Sequence, residues 1–109
     1  MEEITVEQLK QKIDDQEGTF VLDVREPFEK YQSDINYDQS TLIPLGELAS
    51  RIDEIEDKKD KEIVCMCRSG GRSAEACKIL GTNGFSNVKN LKGGINEWAR
   101  KIDTSLPVY

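Results

Sequence analysis

The sequence predicts an α/β fold: one domain, residues 1–109, with a central parallel sheet of about five strands flanked by helices on both faces. Three observations predict it. Apolar runs of strand length alternate along the chain with stretches whose apolar residues recur at helical spacing. The runs at 20–24 and 63–66 are apolar almost throughout, the pattern of strands covered on both faces. Between the periodic stretches lie glycines, prolines and capping residues that punctuate them.

The elements follow in order. Ile4 ends a short first strand, and Thr5-Val6-Glu7-Gln8 reads as a capping box opening a helix. Leu9, Lys12 and Ile13 continue that helix, and Gly18 ends it. A strand covers 20–24. Pro27 begins a polar helix-and-loop region reaching about Ser40. Thr41, Leu42 and Ile43 form a short strand stopped by Pro44. Leu45, Leu48, Ala49, Ile52 and Ile55 recur at helical spacing, and the mixed-sign run 56–61 reads as a solvated loop. The central strand is 63–66. A helix runs from Ala74 to about Thr82, and the last strand is 88–91. Gly93-Gly94 turns the chain into a helix that includes Ile95, Trp98 and Ile102, with Trp98 as a core plug.

Composition narrows the function classes. With 37% apolar and 33% charged residues the chain has enough apolar content for one core. No apolar run approaches the roughly 20 residues of a membrane-spanning helix. The acidic start Met1-Glu2-Glu3 is unlike a signal peptide, which predicts a cytoplasmic protein. A net charge of −6 argues against nucleic acid as a partner. Three cysteines do not make a disulfide scaffold, and no metal-ligand spacing is present. Cys65 and Cys77 read as core residues; the alternative, Cys65 resolving Cys67 as a disulfide, asks for a geometry that strand neighbours at i and i+2 rarely meet.

The chemistry concentrates at Cys67-Arg68-Ser69-Gly70-Gly71-Arg72-Ser73. A cysteine follows a strand, and glycines, arginines and serines lead into a helix. Free N–H groups and the helix dipole stabilise an anion at such a place. The glycines allow the backbone to turn inward. A free thiol has a pKa near ~8.5, and a helix N-terminus with adjacent arginines lowers it to roughly 3.5–7.5. The residues therefore predict a Cys67 thiolate, a nucleophile fit for a covalent cycle. With no histidine in the chain, a Cys-His dyad is excluded and the activation must come from the loop. Structural readings stand beside this one: a buried inert cysteine for Cys67, and a structural ion pair or loop anchor for Asp23 and Arg25. A phosphate site is a third reading, although the cysteine phosphatases place five residues between cysteine and arginine and here there are four. No Lys-Ser or Lys-Thr follows the glycines, so a Walker-type loop is a poor match.

Three segments in order resemble the rhodanese-like sulfurtransferases. They are Val21-Leu22-Asp23-Val24-Arg25-Glu26, then 63–73, then Asn83-Gly84-Phe85 with Val88, Leu91-Lys92-Gly93-Gly94-Ile95 and Trp98. The segment from Trp98 to Tyr109, with Leu42-Ile43-Pro44 and Gly46-Glu47, is similar to the C-terminal domain of the adenylating enzymes of molybdopterin and thiamine biosynthesis. One motif departs: where many members carry His-Ile-Pro-Gly-Ala, this chain reads Ser33-Asp34-Ile35-Asn36-Tyr37-Asp38-Gln39-Ser40-Thr41.

The resemblance implies a sulfurtransferase, of the thiosulfate:cyanide type in vitro, that carries sulfane sulfur as a persulfide on Cys67. The backbone from Arg68 through Ser69, Gly70, Gly71 and Arg72 to Ser73 would hold the anion. The Arg68 and Arg72 side chains would attract an anionic donor, with Asp23 and Arg25 nearby. No cofactor is implied. The donor would be thiosulfate, a polysulfide or a persulfidated protein. An adenylating enzyme and a small sulfur-carrier protein are the implied partners. A non-catalytic interaction module on the same fold, and a cysteine phosphatase or arsenate reductase, are the competing functions.

Overall fold

The computed structural model describes residues 2–109; Met1, which opens the acidic N-terminal stretch, lies outside the described residues. Five strands, β1 (Glu3–Ile4), β2 (Phe20–Asp23), β3 (Ser40–Leu42), β4 (Ile63–Met66) and β5 (Val88–Leu91), form one sheet in the order β1-β5-β4-β2-β3. Every pairing is parallel. Consecutive parallel strands cannot be joined by hairpins, so each connection crosses a face of the sheet, and all four carry a helix.

These are α1 (Val6–Asp14), α2 (Pro27–Gln32), α3 (Leu45–Leu48), α4 (Gly71–Thr82) and α5 (Gly94–Lys101), with a 3-10 helix, Ala49–Lys58, following α3. The expected architecture, five parallel strands with helices on both faces, is the one observed.

Strand alternation divides the core into two layers. Phe20, Leu22, Ile63, Cys65 and Cys67 face one side, where Leu48, Ile55, Ala76, Cys77 and Leu80 cover them. Val21, Val64 and Met66 face the other, against Val6, Leu9, Ile95 and Trp98. All four residues of β2 and of β4 are buried, as strands covered on both faces require, Asp23 being the one charged residue among them. Trp98 is a core residue, 5% exposed.

The capping box of α1 is formed. The Gln8 N–H donates to the Thr5 hydroxyl at 3.1 Å, and the Thr5 N–H donates to Gln8 Oε1 at 2.9 Å.

Several boundaries differ from expectation, beginning with β2, which ends at Asp23 rather than Val24. β3 begins at Ser40 and ends at Leu42, one residue early, because it registers on β2 through Val21–Ser40 and Asp23–Leu42. The apolar stretch 45–55 is not one helix: an α-helical turn passes into a 3-10 helix that kinks at Ile55, whose φ is −119°. That tighter winding takes in Glu56, Asp57 and Lys58, so only 59–61 of the expected solvated run lie outside a helix. Lys58 and Lys59 set their ammonium groups over the rings of Phe20 and Phe85, at 5.5 and 5.7 Å from the centroids, and cover the end of the core. Finally, α4 starts at Gly71 rather than Ala74, and Ile102 caps α5 instead of lying inside it.

Candidate active site

Cys67 leaves the carboxyl end of β4, at the centre of the sheet, where ligands of such sheets bind. The chain then turns at Gly70, whose φ of +121° suits glycine, and enters the twelve-residue α4. The early start of α4 places the helix N-terminus beside the sulfur. The Gly70 N–H donates to Cys67 Sγ at 3.1 Å and the Ser73 N–H at 3.4 Å. The Ser73 hydroxyl lies 3.3 Å from Sγ. Burial pushes the thiol up, since Cys67 is 2% exposed. The Ser73 hydroxyl and the N–H groups of Ser73, Gly70 and Ser69 outweigh burial and hold the pKa below the ordinary thiol value.

The two other cysteines lie one step further down the same elements. Cys65 precedes Cys67 by two on β4, and Cys77 follows Ser73 by four on α4. A hydrogen bond to Cys77, then burial, raises Cys65 well above the ordinary thiol value, so it stays a neutral core thiol. All three cysteines are free of disulfides. Cys65 and Cys77 are core residues, as expected.

The arginines are not placed as the sequence suggested. Arg72 is not an unpaired cation: its Nη1 and Nη2 donate to Glu29 of α2 at 2.7 and 2.9 Å, although its side chain stays 35% exposed. The Arg68 guanidinium lies over the Tyr109 ring, 5.2 Å from the centroid. The absence of acids within the loop therefore does not make the site positive, because α2 brings a carboxylate to it. Glu29 is only 6% exposed. Its pairing with Arg72 outweighs burial, and with the Glu26 N–H and Tyr109 hydroxyl holds its carboxyl down at about 2.

Asp23 and Arg25 form a buried, bidentate ion pair: Arg25 Nε donates to Asp23 Oδ1 at 2.9 Å and Nη2 to Oδ2 at 2.8 Å. Arg25 is fully buried. Its remaining nitrogen, Nη1, donates to the Tyr109 hydroxyl at 3.0 Å, and that hydroxyl donates to Glu29 Oε1 at 2.9 Å. The pair is thus a structural ion pair, joined by hydrogen bonds through Tyr109 and Glu29 to Arg72.

Several site-building residues were not singled out from the sequence. Asn90, on β5, accepts from the Ser73 hydroxyl through Oδ1 and donates to the Gly70 carbonyl at 3.1 Å, so it braces both ends of the turn. Gly94 lets α5 press against the loop: a Cβ there would collide with the Arg68 carbonyl and come within 2.6 Å of the Cys67 carbonyl oxygen. That approach lets the Ile95 N–H donate to the Cys67 carbonyl at 2.9 Å and the Asn96 N–H to the Arg68 carbonyl at 3.1 Å. The Asn96 side chain also grips the Tyr109 backbone, with both bonds at 3.1 Å. The only signal for Gly94 was the Gly-Gly pair itself; Glu29, Asn90 and Tyr109 had none, because their partners are remote in sequence.

The segment 33–41 makes no hydrogen bond to the 67–73 loop among the described residues. Its Ser33, Asp34 and Asn36 instead line a separate groove of about 600 Å³ with Tyr31, Leu42 and Leu106.

Fold and site together define a class: a parallel α/β domain that presents a cysteine sulfur to the amide groups at the start of a helix. The family model described as rhodanese-like domain matches residues 5–101. The chain belongs to that family. It is 40% identical over 98 residues to a sulfurtransferase of Allochromatium vinosum, covering 90% of this chain and 88% of that one. The crystal structure of SSP1007 from Staphylococcus saprophyticus superposes with a TM-score of 0.80 at 30% identity, covering 94% of this chain and 97% of that one.

The adenylyltransferase and sulfurtransferase MOCS3-2 of Zea mays is 32% identical over 97% of this chain, which spans 23% of its length. The resemblance to the domain of adenylating enzymes is thus real but weaker than that to the Allochromatium sulfurtransferase, which has the length of a single domain. Among the described residues, no helix is long and apolar enough to cross a membrane.

Proposed function

We propose that this protein is a sulfurtransferase that carries one sulfane sulfur as a persulfide on Cys67. The observation that supports this reading most is the pair of N–H groups, from Gly70 and Ser73, directed at a sulfur whose pKa is held down without a histidine. The Cys67 thiolate attacks the outer sulfur of a donor. The new S–S bond forms as the donor's own S–S bond breaks, and the electron pair departs with the leaving thiolate or sulfite. The transferred sulfur then lies within reach of the 68–73 backbone, which stabilises its charge. An acceptor thiolate or cyanide attacks that sulfur, and the electron pair returns to Cys67.

Gly70, Gly71 and Ser69 shape the turn, and Ser73 donates at the sulfur. Asp23 and Arg25 act from behind, as positioning residues. The kinship with sulfurtransferases at 40% identity supports the reaction class. The physiological donor is a small sulfane compound, a polysulfide or a persulfidated protein. A small sulfur-carrier protein loaded by an adenylating enzyme is the proposed acceptor.

Intact-mass spectrometry tests this. The wild type is incubated with thiosulfate, polysulfide or an organic persulfide, then with cyanide, beside Cys67→Ala. Gain of one sulfur atom by the wild type alone, lost again as thiocyanate, is the expected result. No gain from any donor, or an equal gain by Cys67→Ala, overturns the reading.

A further inference from the structure

We propose that Glu29 sets the donor class of this site: by occupying Arg72 it leaves no net positive charge for a sulfur oxyanion, and the site takes sulfur from the persulfide of an organic thiol. The inference rests on the persulfide chemistry proposed for Cys67 and goes beyond it by naming the substrate.

Charge around the sulfur carries the argument. Arg68 and Arg72 supply two positive charges, and the Cys67 thiolate and Glu29 carboxylate supply two negative ones. The Arg25 charge is already matched by Asp23, in contact at 2.8 Å. A dianion such as thiosulfate therefore meets a neutral site with a thiolate at its centre. To use Arg72 it must bind a guanidinium whose charge is already neutralised by a carboxylate at 2.7 and 2.9 Å.

Glu29 is not free to leave. Its Oε2 also accepts the Glu26 N–H at 2.8 Å, and its Oε1 accepts the Tyr109 hydroxyl at 2.9 Å. Being almost wholly buried, it is poorly screened by solvent.

The segments that supply Glu29 and Tyr109 are otherwise solvent-facing. Among the described residues, the exposed large apolar side chains are Phe28, Tyr31 and Val108. They belong to the two segments that supply Glu29 and Tyr109: Phe28 precedes Glu29 in α2, and Val108 precedes Tyr109.

The transfer balances without another reactant. The Cys67 thiolate bonds to the outer sulfur of R–S–SH, the S–S bond breaks, and R–S⁻ leaves with the electron pair. The proton arrives with the transferred sulfur and passes to the departing R–S⁻ or to solvent, leaving the persulfide anion that the 68–73 backbone stabilises.

The test compares loading of Cys67 from thiosulfate and from the persulfide of 2-mercaptoethanol, its kinetics expressed for the protonated form R–S–SH, in the wild type and in Glu29→Gln. The wild type should load from the persulfide with the higher kcat/KM, and its KM for thiosulfate should vary little with ionic strength. Glu29→Gln should lower the thiosulfate KM by about tenfold or more, with that KM now rising with salt, since an unmatched Arg72 is exposed to the donor. The ratio of its kcat/KM for thiosulfate to that for protonated R–S–SH should rise by about tenfold or more, because only the charged donor answers the change.

A merely structural role for Glu29 would move both donors together, and that result overturns the inference. So does an unchanged thiosulfate KM in Glu29→Gln. If Glu29→Gln does not fold, the wild type decides alone: preference for thiosulfate, or a thiosulfate KM that climbs steeply with salt, overturns the inference. Failure of the wild type to load from either donor removes the persulfide chemistry itself, and the inference with it.

Discussion

At the scale of the residue, the reactivity of Cys67 is a contest between burial and hydrogen bonding, and Ser73 sits on the winning side twice. Its N–H and its hydroxyl both reach Sγ. Removing the hydroxyl leaves burial less opposed, so Ser73→Ala should raise the Cys67 pKa. The check is the pH dependence of alkylation by iodoacetamide: the wild-type midpoint lies below that of a free thiol, and the variant's moves upward by about one unit.

Glu29 gives the opposite kind of prediction, in stability. Its folded pKa of about 2 lies below the value it takes unfolded. Its contribution is therefore fully present above the unfolded carboxylate pKa and is lost as pH falls through about 2. The depression corresponds to on the order of 3 kcal/mol. Glu29→Gln should flatten the loss of urea stability between pH 5 and about 2. An unchanged acid limb would show that the Arg72 pair contributes no such stability.

At the scale of the element, the site is the meeting of three pieces: the end of β4, the start of α4 and the start of α5. The first two are continuous in the chain, and the sequence marked them through Cys67 and the glycines that follow. The third approaches only because Gly94 has no Cβ and adopts a φ of +62°. Gly94→Ala would therefore be strained twice, by its backbone and by collision with the loop carbonyls. It should cost about 2 kcal/mol or more and reduce sulfur loading far more than Gly46→Ala, where a new Cβ meets nothing within 4 Å. Equal loading by the two variants would show that the contact of α5 with the loop does not govern the site.

Element boundaries were the least legible feature for a related reason. The apolar spacing of 45–55 is compatible with an α-helix or with tighter winding, and the choice fell to packing against the sheet.

At the scale of the whole molecule, two core layers share one sheet, so loss of either exposes the other. Leu22→Ala, at a fully buried site in the middle of β2, should lower stability by about 2–5 kcal/mol, seen as a lower urea midpoint with an unchanged slope. A second, partial transition would show that the two layers unfold separately. The C-terminal residues also act at this scale. Asn96→Ala releases the Tyr109 backbone and with it the ring beneath Arg68 and the hydroxyl on Glu29. Loading should fall by about fivefold or more with a loss in stability of about 1–3 kcal/mol, for two part-buried hydrogen bonds to the Tyr109 backbone. A drop in melting temperature with loading intact would make this clamp purely structural.

What the sequence determined by itself was everything encoded locally. The strand runs of β2 and β4, the capping box at Thr5, the parallel α/β class and the cysteine at a strand-to-helix turn all depend on residues within a few positions of one another. Backbone amides are present at any helix start, so the site's anion-stabilising half was legible from Cys67 to Ser73.

Its charge balance was not. Glu29 and Arg72 are 43 positions apart, Glu29 and Tyr109 are 80, and Arg25 and Tyr109 are 84. Only the closing of a parallel sheet, with its crossovers on both faces, brings such residues together. An ion pair leaves no periodicity in either partner's surroundings, so the tertiary structure alone decided that Arg72 is matched and that Asp23 and Arg25 reach the site through Tyr109.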